Sequence, residues 1–399
     1  MKLFAIILST FVLFTATAAD WLQFRGSHGN GVADEANLPA KLEAENIAWR
    51  NDLPGRGLSS PLIIGERVFI TCSSGAKQDR LHVICFDTKD GKKIWERQFW
   101  ATGQTACHEK TSVAAPSPAS DGQRIYAIFS SNDMVCLDRD GNLIWFRGLM
   151  RDYPDASNGL GMSSSLLVAG GVVVTMLENE GDSFTVGIDA LTGVNRWKLS
   201  RPKTANWTSP ILLPSADGKP LVALQSSKGV AAVDPTTGKI AWESPSEAGR
   251  IPSLTLGGNV LFVPAAGITA FQLDAENQPP KQLWQAAQLA PATASPVVIG
   301  EKLLTLNNAS VLTCADVADG KRLWQLRLKG PFSGSPVVAG QIMYCVNEKG
   351  SLQTVDTSKP EGEIISTLEL KETILATPAI ANGALYIRGN NSLWKLKGL

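Results

Sequence analysis

The stretch of residues 209–242 reads SPILLPSADGKPLVALQSSKGVAAVDPTTGKIAW and has the form of one complete repeat. A small residue and a proline open it, and three β-rich runs follow with turns between them, the third ending in Asp234. A Thr-Gly-Lys turn leads into a last run that ends in Trp242. Glycine and aspartate in the turns supply the positive φ that tight hairpins require. The stretch therefore predicts four short strands, which is the content of one propeller blade.

The same phrase recurs through most of the chain at a spacing of about 40 to 52 residues, which fits four strands and their turns. Its opening anchors are Ser60, Ser117, Ser164, Ser209, Pro252-Ser253, Ser295, Ser335 and Thr377. Its closing tryptophans are Trp49, Trp95, Trp145, Trp197, Trp242, Trp284 and Trp324. In the seventh full copy, Ile364-Ile365 stands where the tryptophan is expected. We interpret a tryptophan at one fixed place in each copy as the residue that docks one blade on its neighbour.

The two ends of the chain each hold part of one repeat. The eighth copy begins at Thr377-Pro378 and stops after its third run, without a fourth strand. Near the other end, Ile47-Ala48-Trp49 matches the fourth-strand ending Ile240-Ala241-Trp242. If the two pair, no sheet edge is left open in the ring. We therefore expect an all-β, eight-bladed propeller of four-stranded antiparallel blades, closed by the N-terminal strand. A β-solenoid is the less favoured alternative, because its coils are shorter and do not divide one repeat between the termini.

The first residues have the layout of a secretory signal, with Met1-Lys2, an apolar run over residues 3–14, and Ala16-Thr17-Ala18 before Asp20. We expect residues 1–19 to be a signal peptide, residues 20–46 an N-terminal segment and residues 47–399 the propeller. No cysteine stands near residue 20, so a lipid-anchored start is not expected. No later stretch has the ~20 apolar residues of a membrane helix. A periplasmic or secreted protein without a transmembrane segment is predicted.

The balance of charge bears on the class of partner, and the positions of the cysteines bear on whether disulfides form. The 37 basic and 37 acidic residues balance, so nothing draws the chain to nucleic acid, and we expect a monomer. Six cysteines in an exported chain raise the question of disulfides. However, Cys85, Cys136 and Cys314 occupy a repeat position where other copies have alanine or glycine. We favour mostly free core thiols, since a free cysteine packs as a small apolar residue; three disulfides remain the alternative.

Two connectors between blades are longer than the rest, at roughly residues 96–115 and 146–162. Loops on a rigid scaffold commonly carry binding residues. We expect a partner-binding patch of mixed charge with an aromatic side chain on the face where these connectors lie. The candidate residues are Arg56, His108, Glu109, Lys110, Arg151, Asp152, Asn158 and Trp207. The opposing interpretation is that these long loops only pack across the channel mouth.

Patterns typical of catalysis or metal binding are weak. The sequence has no G-x-S-x-G, H-E-x-x-H or P-loop motif. Cys107-His108-Glu109 places three potential ligands in a row, whereas zinc sites normally use spaced pairs. Aspartates before glycine turns recur in most copies, which is typical of turn chemistry. We therefore expect no catalytic residues, no metal and no cofactor.

With the repeats laid out, the chain resembles the PQQ-like β-propeller repeat family. The resemblance rests on the Asp-x-x-Thr-Gly-Lys-x-x-Trp endings, such as residues 234–242, whose tryptophans look like that family's docking tryptophans. It is most similar to exported bacterial members that open with Trp-x-x-Phe-Arg-Gly, here residues 21–26, and carry a His-Glu-Lys loop, here residues 108–110. The resemblance covers nearly all of the mature chain and implies the fold rather than the activity.

Two branches of that family imply different functions. Quinoprotein dehydrogenases hold pyrroloquinoline quinone and calcium, and they use a vicinal cysteine pair, a calcium set of Glu, Asn and Asp, and a catalytic Asp. Here the cysteines nearest in sequence, Cys72 and Cys85, are not adjacent, and no position matches the cofactor set. The scaffold propeller of the outer-membrane barrel-assembly machinery has a similar length and no cofactor, but it carries a lipid-attachment cysteine that this chain lacks.

We therefore expect a non-enzymatic exported scaffold that binds a protein or peptide of the cell envelope through the long-loop face. Exposed blade edges also allow an added strand from a partner. Two alternatives remain: a quinoprotein-type oxidoreductase, and a binder of carbohydrate or another small molecule at the channel mouth beside Trp207.

Overall fold

The protein is described by a computed structural model that covers residues 20–34, 38–157, 159–214, 218–273 and 278–398. The strands of these residues form eight separate sheets, seven with four strands and one with five. In each sheet the first strand of the repeat is largely buried, while most residues of the fourth are exposed or half-buried. The first strand therefore lies near the axis and the fourth at the rim, and the predicted eight-bladed propeller is confirmed.

The chain enters through two strands that belong to the last two blades, β1 (Val32–Ala33) and β2 (Ile47–Asp52). Blades I to IV then follow in sequence order. Their strands are β3 (Leu62–Ile64), β4 (Arg67–Ser74), β5 (Arg80–Asp87), β6 (Lys93–Trp100), β7 (Ala119–Ser120), β8 (Arg124–Ile128), β9 (Asp133–Asp138), β10 (Leu143–Gly148), β11 (Leu167–Ala169), β12 (Val172–Leu177), β13 (Phe184–Asp189), β14 (Asn195–Ser200), β15 (Ile211–Leu213), β16 (Leu221–Ser226), β17 (Gly229–Val233) and β18 (Ile240–Pro245).

Blades V to VIII complete the circle in the same way. Their strands are β19 (Thr255–Gly257), β20 (Val260–Pro264), β21 (Ile268–Gln272), β22 (Lys281–Ala286), β23 (Val297–Ile299), β24 (Lys302–Leu306), β25 (Val311–Asp316), β26 (Arg322–Arg327), β27 (Val337–Ala339), β28 (Ile342–Val346), β29 (Ser351–Asp356), β30 (Glu363–Glu369), β31 (Ala379–Ala381), β32 (Ala384–Arg388) and β33 (Ser392–Lys397). The helices of the described residues are short: α1 (Leu149–Asp152) and the 3₁₀ turns Ala44–Asn46 and Ala287–Leu289. None of them is long and apolar enough to cross a membrane.

An indole ring from each of several blades docks on the next blade. The ring nitrogen donates to a backbone carbonyl of that blade in the pairs Trp49 to Thr88, Trp95 to Arg139, Trp145 to Ala190, Trp197 to Pro235 and Trp284 to Val317. The ring also covers the glycine of the neighbour's turn between its third and fourth strands. A Cβ at that glycine would lie within 3.0 Å of the indole at Gly91, Gly141, Gly193, Gly238, Gly320 and Gly362. This contact explains why the repeat needs both its Gly turn and its final Trp.

The ring closes through the predicted pairing of the two chain ends. Strand β2 runs antiparallel to β33, with Ile47 opposite Leu396 and Asp52 opposite Ser392. It supplies the fourth strand of blade VIII, and its Trp49 docks on blade I like the other docking tryptophans. The last blade therefore depends on two segments that are far apart in sequence.

The seventh blade lacks a docking tryptophan, and the next blade has no turn to receive one. Ser366 stands in the tryptophan's place, since it lies opposite Thr354 as Trp242 lies opposite Ala232. The assignment of this place to Ile364-Ile365 was therefore wrong. Blade VIII passes from β33 to β2 across the chain ends, so it has no Asp-Gly turn between its third and fourth strands. Residues 38–46 occupy this region instead: Leu42 is buried, and its N–H bonds to Ser366 on the outer strand of blade VII. Asn46 donates to Lys397, which fastens the same segment to blade VIII.

The N-terminal segment crosses the central channel before the ring begins. Trp21 pairs with Ile63 on the innermost strand of blade I, and the carbonyl of Leu22 accepts from Ser120 of blade II. Strand β1 lies parallel to β27, the innermost strand of blade VII. At its start, the Asp20 carboxylate binds the N–H of Gly65, in a first-to-second-strand turn. Such turns lie on the face opposite the blade-to-blade connectors, so the segment fills the channel from that side.

All six cysteines are free in the structure, and five of them are buried. Burial raises the pKa of Cys85, Cys136 and Cys345 to about 12 and that of Cys314 to about 11. Burial also raises the pKa of Cys72. Cys107 is half-buried on the first long connector. The buried cysteines fill core positions, as the repeat comparison predicts.

The closing contact is tested by Trp49→Ala. We expect this change to lower the free energy of unfolding by about 3–5 kcal/mol, the range for removing a buried tryptophan. Urea denaturation measures the loss. The control is Trp100→Ala on the outer strand of blade I, where the side chain is 64% exposed and a change of less than about 1 kcal/mol is expected. Equal losses in the two variants would contradict the closing role of Trp49.

The thiol state is tested by alkylation followed by mass measurement. At pH 8, iodoacetamide should label Cys107 in the folded protein and leave the five buried cysteines unmodified. The reactive species is the thiolate, and a raised pKa keeps the buried thiols protonated. After denaturation without a reductant, six labels are expected. Fewer than six would reveal disulfides and overturn the assignment of free thiols.

Candidate functional site at the channel mouth

Two connectors between blades are about twice as long as the other six. They span residues 101–118 and 149–166, and the second begins with helix α1. The sequence placed the start of the first connector at residue 96. It starts later because β5 and β6 have eight residues each, and β6 runs to Trp100. Both connectors lie on the face of the disc where the chain passes from one blade to the next.

The long connectors are fastened to each other and to a third connector. The N–H of His108 bonds to the carbonyl of Leu160 at 3.0 Å. The indole nitrogen of Trp207, on the connector between blades III and IV, donates to the carbonyl of Gly161 at 2.8 Å. Gly161 has a φ of +87°, and a Cβ there would lie 2.9 Å from the Cβ of Cys107. This close packing holds the three connectors in one fixed arrangement.

His108, Lys110 and Trp207 line a cavity of about 400 Å³ at the mouth of the channel. Leu160 and Ile251 stand beside them and are about half exposed, at 50% and 49%. The structure therefore brings three of the predicted site residues to one place. It adds two aliphatic side chains that the sequence analysis did not select.

An ion pair spans the mouth from blade II to blade VII. The Nζ atom of Lys110 lies 3.1 Å from a carboxylate oxygen of Glu348, and the Ser333 hydroxyl donates to the same carboxylate at 2.8 Å. On the other side, the guanidinium of Arg56 donates to the backbone carbonyl of Glu109. Arg56 thereby supports the His-Glu-Lys loop, and the Glu109 side chain is exposed.

The remaining predicted residues do not join this mouth. Asp152 pairs with Arg147 and lines a separate depression with Tyr153 and residues 192–195. Arg151, its neighbour on α1, is exposed. Asn158 lies outside the described residues. Among the residues described, the predicted patch thus divides into a mouth cluster and a separate cluster at α1.

A ring of hydroxyl groups forms the floor of the cavity. The N–H of seven of the eight opening anchors donates to the hydroxyl oxygen of the anchor in the next blade, at 2.8 to 3.0 Å. The donor and acceptor pairs are Ser60 to Ser117, Ser117 to Ser165, Ser165 to Ser209, Ser209 to Ser253, Ser253 to Ser295, Ser295 to Ser335 and Ser335 to Thr377. The third anchor is Ser165, and the assignment to Ser164 was wrong by one residue. Leu166 replaces the proline that marks the register in most copies.

The N-terminal segment closes the cavity from below. Phe24 lines it together with the hydroxyl ring, and Arg25 lies beneath with no exposed surface. Arg25 donates to the carbonyls of Leu254, Asn30 and Pro296 and to the hydroxyl of Thr255. All four acceptors are neutral, and burial lowers the pKa of Arg25 to about 9. The guanidinium therefore stays charged at neutral pH without a carboxylate among these acceptors.

Blade I contains a hydrogen-bonded relay that sequence reasoning also missed. The Ser74 hydroxyl lies 2.7 Å from Nε2 of His82, and Nδ1 of His82 lies 2.8 Å from the Glu96 carboxylate. The three residues come from adjacent strands and share the face of blade I where Cys72 contacts Arg388 of blade VIII. The relay satisfies both ring nitrogens of a buried histidine and ties the three strands together.

Comparison with known proteins gives a family and a fold. The family model described as outer membrane protein assembly factor BamB matches residues 32–159, 155–255 and 271–359, more than three quarters of the chain. A search of curated protein sequences finds no match.

Three solved structures share the fold at low sequence identity. The crystal structure of BamB from Moraxella catarrhalis is 14% identical with a TM-score of 0.61, and the match covers 88% of this chain and 98% of that chain. The quinohemoprotein alcohol dehydrogenase from Comamonas testosteroni is 13% identical with a TM-score of 0.68, covering 94% and 80%. The computationally designed protein Ika8 is 10% identical with a TM-score of 0.60, covering 87% and 98%.

The side chains at the mouth do not fit the quinone and calcium that the quinoprotein branch uses. Calcium requires several oxygen ligands, including carboxylates. Of the described residues that line the cavity, none is an aspartate or glutamate. The described part of the chain also has no group of three or more His, Cys, Asp and Glu residues arranged to hold a metal. We derive no chemistry through such a cofactor.

The fixed arrangement of the mouth is tested by Trp207→Phe, which keeps an aromatic wall but removes the donor to Gly161. Loss of this bond should lower the free energy of unfolding by about 1 kcal/mol. It should also speed hydrogen exchange at the amide of His108, which depends on the same loop contact. Trp100→Phe, at an exposed indole, is the control. Unchanged exchange at His108 in the Trp207 variant would show that this bond does not hold the connectors.

Proposed function

The chain belongs to the family of the outer membrane protein assembly factor BamB, and from this premise we propose that it is a non-enzymatic exported scaffold. In this proposal the long-connector face binds a protein or peptide of the cell envelope. The protein acts there as a monomer.

The observation that carries the proposal is the composition of the mouth. Half-exposed Leu160 and Ile251 line it together with the partly buried ring of Trp207. Charged and polar groups of His108, Glu109 and Lys110 stand around them. An apolar centre with an aromatic residue and a polar rim is the usual anatomy of a protein interface. Because the connectors are bonded to one another, little ordering is required when a partner binds.

The proposed compartment is the periplasm or the exterior. It rests on the secretory layout of residues 1–19, which lie outside the described residues, and on the family's description as an outer-membrane assembly factor.

A second candidate function is the binding of a small molecule at the channel mouth. It is favoured by the cavity itself, whose volume of about 400 Å³ falls in the range of small-ligand pockets. The quinoprotein-type oxidoreductase receives less support, because the described residues that line the cavity include no aspartate or glutamate to bind calcium.

The scaffold proposal is tested by affinity capture from envelope extract, with the captured proteins identified by mass spectrometry. A triple variant with Arg56, His108 and Lys110 changed to alanine should reduce the yield of specific partners at least about tenfold, as expected when central interface contacts are lost. The matched control changes Lys89, Lys239 and Lys321 to alanine, since these exposed residues lie in turns on the opposite face.

The control variant should recover the same partners as the unmodified protein. Equal recovery by both triple variants would contradict binding through the long-connector face. Both variants should also show the same unfolding midpoint, so that a lower yield is not caused by lost folding.

A further inference from the structure

Seven hydroxyl groups on the cavity floor have protons that no described residue accepts. They belong to Ser117, Ser165, Ser209, Ser253, Ser295, Ser335 and Thr377. Each oxygen already accepts an N–H from the neighbouring blade. A hydroxyl has one proton and two lone pairs, so accepting that N–H leaves the proton available to a ligand. These side chains are at least 95% buried and line the cavity.

The backbone N–H groups strengthen these donors. A hydroxyl that accepts a hydrogen bond becomes a better donor, because each bond in a chain polarises the next. The seven hydroxyls surround one axis and line one cavity, so a ligand bound there can accept from several of them. Preorganised donors of this kind stabilise negative oxygen atoms in a site shielded from water.

Arg25 adds a positive charge directly beneath the ring. Its acceptors Leu254 and Pro296 are the residues that follow the ring members Ser253 and Ser295. Its bonds go to neutral oxygens, so no ion pair among them cancels its charge. A single buried cation is balanced by a single negative charge, whereas a dianion would leave one charge uncompensated in an apolar site. The floor therefore favours a monoanion.

Apolar side chains lie above the floor at Leu160, Trp207, Ile251 and Leu375, and His108 and Lys110 line the same cavity. The Trp207 ring is held in place by its bond to Gly161. Because the described N-terminal segment lies across the channel below, a ligand would enter from the long-connector face.

We propose that this cavity binds a carboxylate attached to an apolar body, with the carboxylate on the hydroxyl ring and the body against the walls. The proposal goes beyond the scaffold role, because it assigns a ligand to the channel itself. A small organic monocarboxylic acid and the free C-terminus of an apolar peptide share this chemistry.

Calorimetric titration of the purified protein with matched probes tests the proposal. The probes are octanoate against octanol, and N-acetyl-leucyl-phenylalanine as the free acid against its C-terminal amide. At least one acid should bind at least about tenfold more tightly than its neutral partner, since charge-assisted hydrogen bonds are about twice as strong as neutral ones. Preference for octanoate indicates a free acid as the source, and preference for the peptide acid indicates a chain terminus.

Two pairs of variants locate the binding. Ile251→Glu places a negative charge at the half-exposed mouth and should weaken acid binding at least about tenfold by like-charge repulsion, while Ile251→Gln of similar size should bind nearly as well as the unmodified protein. Ser253→Ala removes a floor hydroxyl and should weaken binding. Ser60→Ala is the control, because Ser60 belongs to the ring but does not line the cavity.

Equal affinity for acid and neutral probes, or no binding by any probe, would overturn the proposal. Equal effects of Ser60→Ala and Ser253→Ala would do the same, because they would point to general loss of ring structure. The titration uses defined probes and no partner protein. Its failure is therefore distinguishable from failure of the scaffold proposal, which is read from affinity capture.

Discussion

Each observed docking contact joins two blades through one indole ring that lies on a glycine, and in five cases the ring also donates to a carbonyl beside it. The residue in the turn must lack a Cβ so that the ring can approach. It must also adopt a positive φ, as Gly193 does with a φ of +72°. Both requirements lie in one phrase of sequence, because the turn and the tryptophan are only a few residues apart. Each such blade thus contacts one neighbour through the glycine of its turn and the other neighbour through the tryptophan of its final strand. The pairing of β2 with β33 completes the last blade, whose Trp49 docks on the first, so these contacts join the blades into one disc.

The seam between blades VII and VIII shows how the chain ends alter this rule. No turn faces the outer strand of blade VII there, and Ser366 occupies the place of the tryptophan. Leu42 and Asn46 contact blades VII and VIII across the seam. The missing tryptophan of blade VII is thus a consequence of building blade VIII from both ends of the chain. A tryptophan at position 366 would have no glycine turn on which to dock.

The fold was predictable because its information is periodic. The Gly turn, the docking Trp and the divided eighth copy each recur or match another copy, so the blade number and the closing strand followed from alignment of the chain with itself.

The site was less predictable, since its contacts join residues without a shared period. His108, Lys110 and Trp207 were found from loop length and residue type, but the separation of Asp152 depends on the direction taken by α1. The hydroxyl ring had a visible signal, an invariant hydroxyl in every opening anchor, although its hydrogen bonds emerge only when eight blades face one axis. The path of Arg25 into the channel left no periodic signal at all.

The position of Asp20 fixes which way the disc faces when it is held by its leading end. Its carboxylate binds Gly65 in a turn on the side away from the mouth. A surface or bead attached next to Asp20 would therefore hold the protein with the channel mouth facing away from the attachment. For the same reason, a bulky fusion partner placed before Asp20 would lie on the opposite face of the disc and would not obstruct a ligand at the channel mouth.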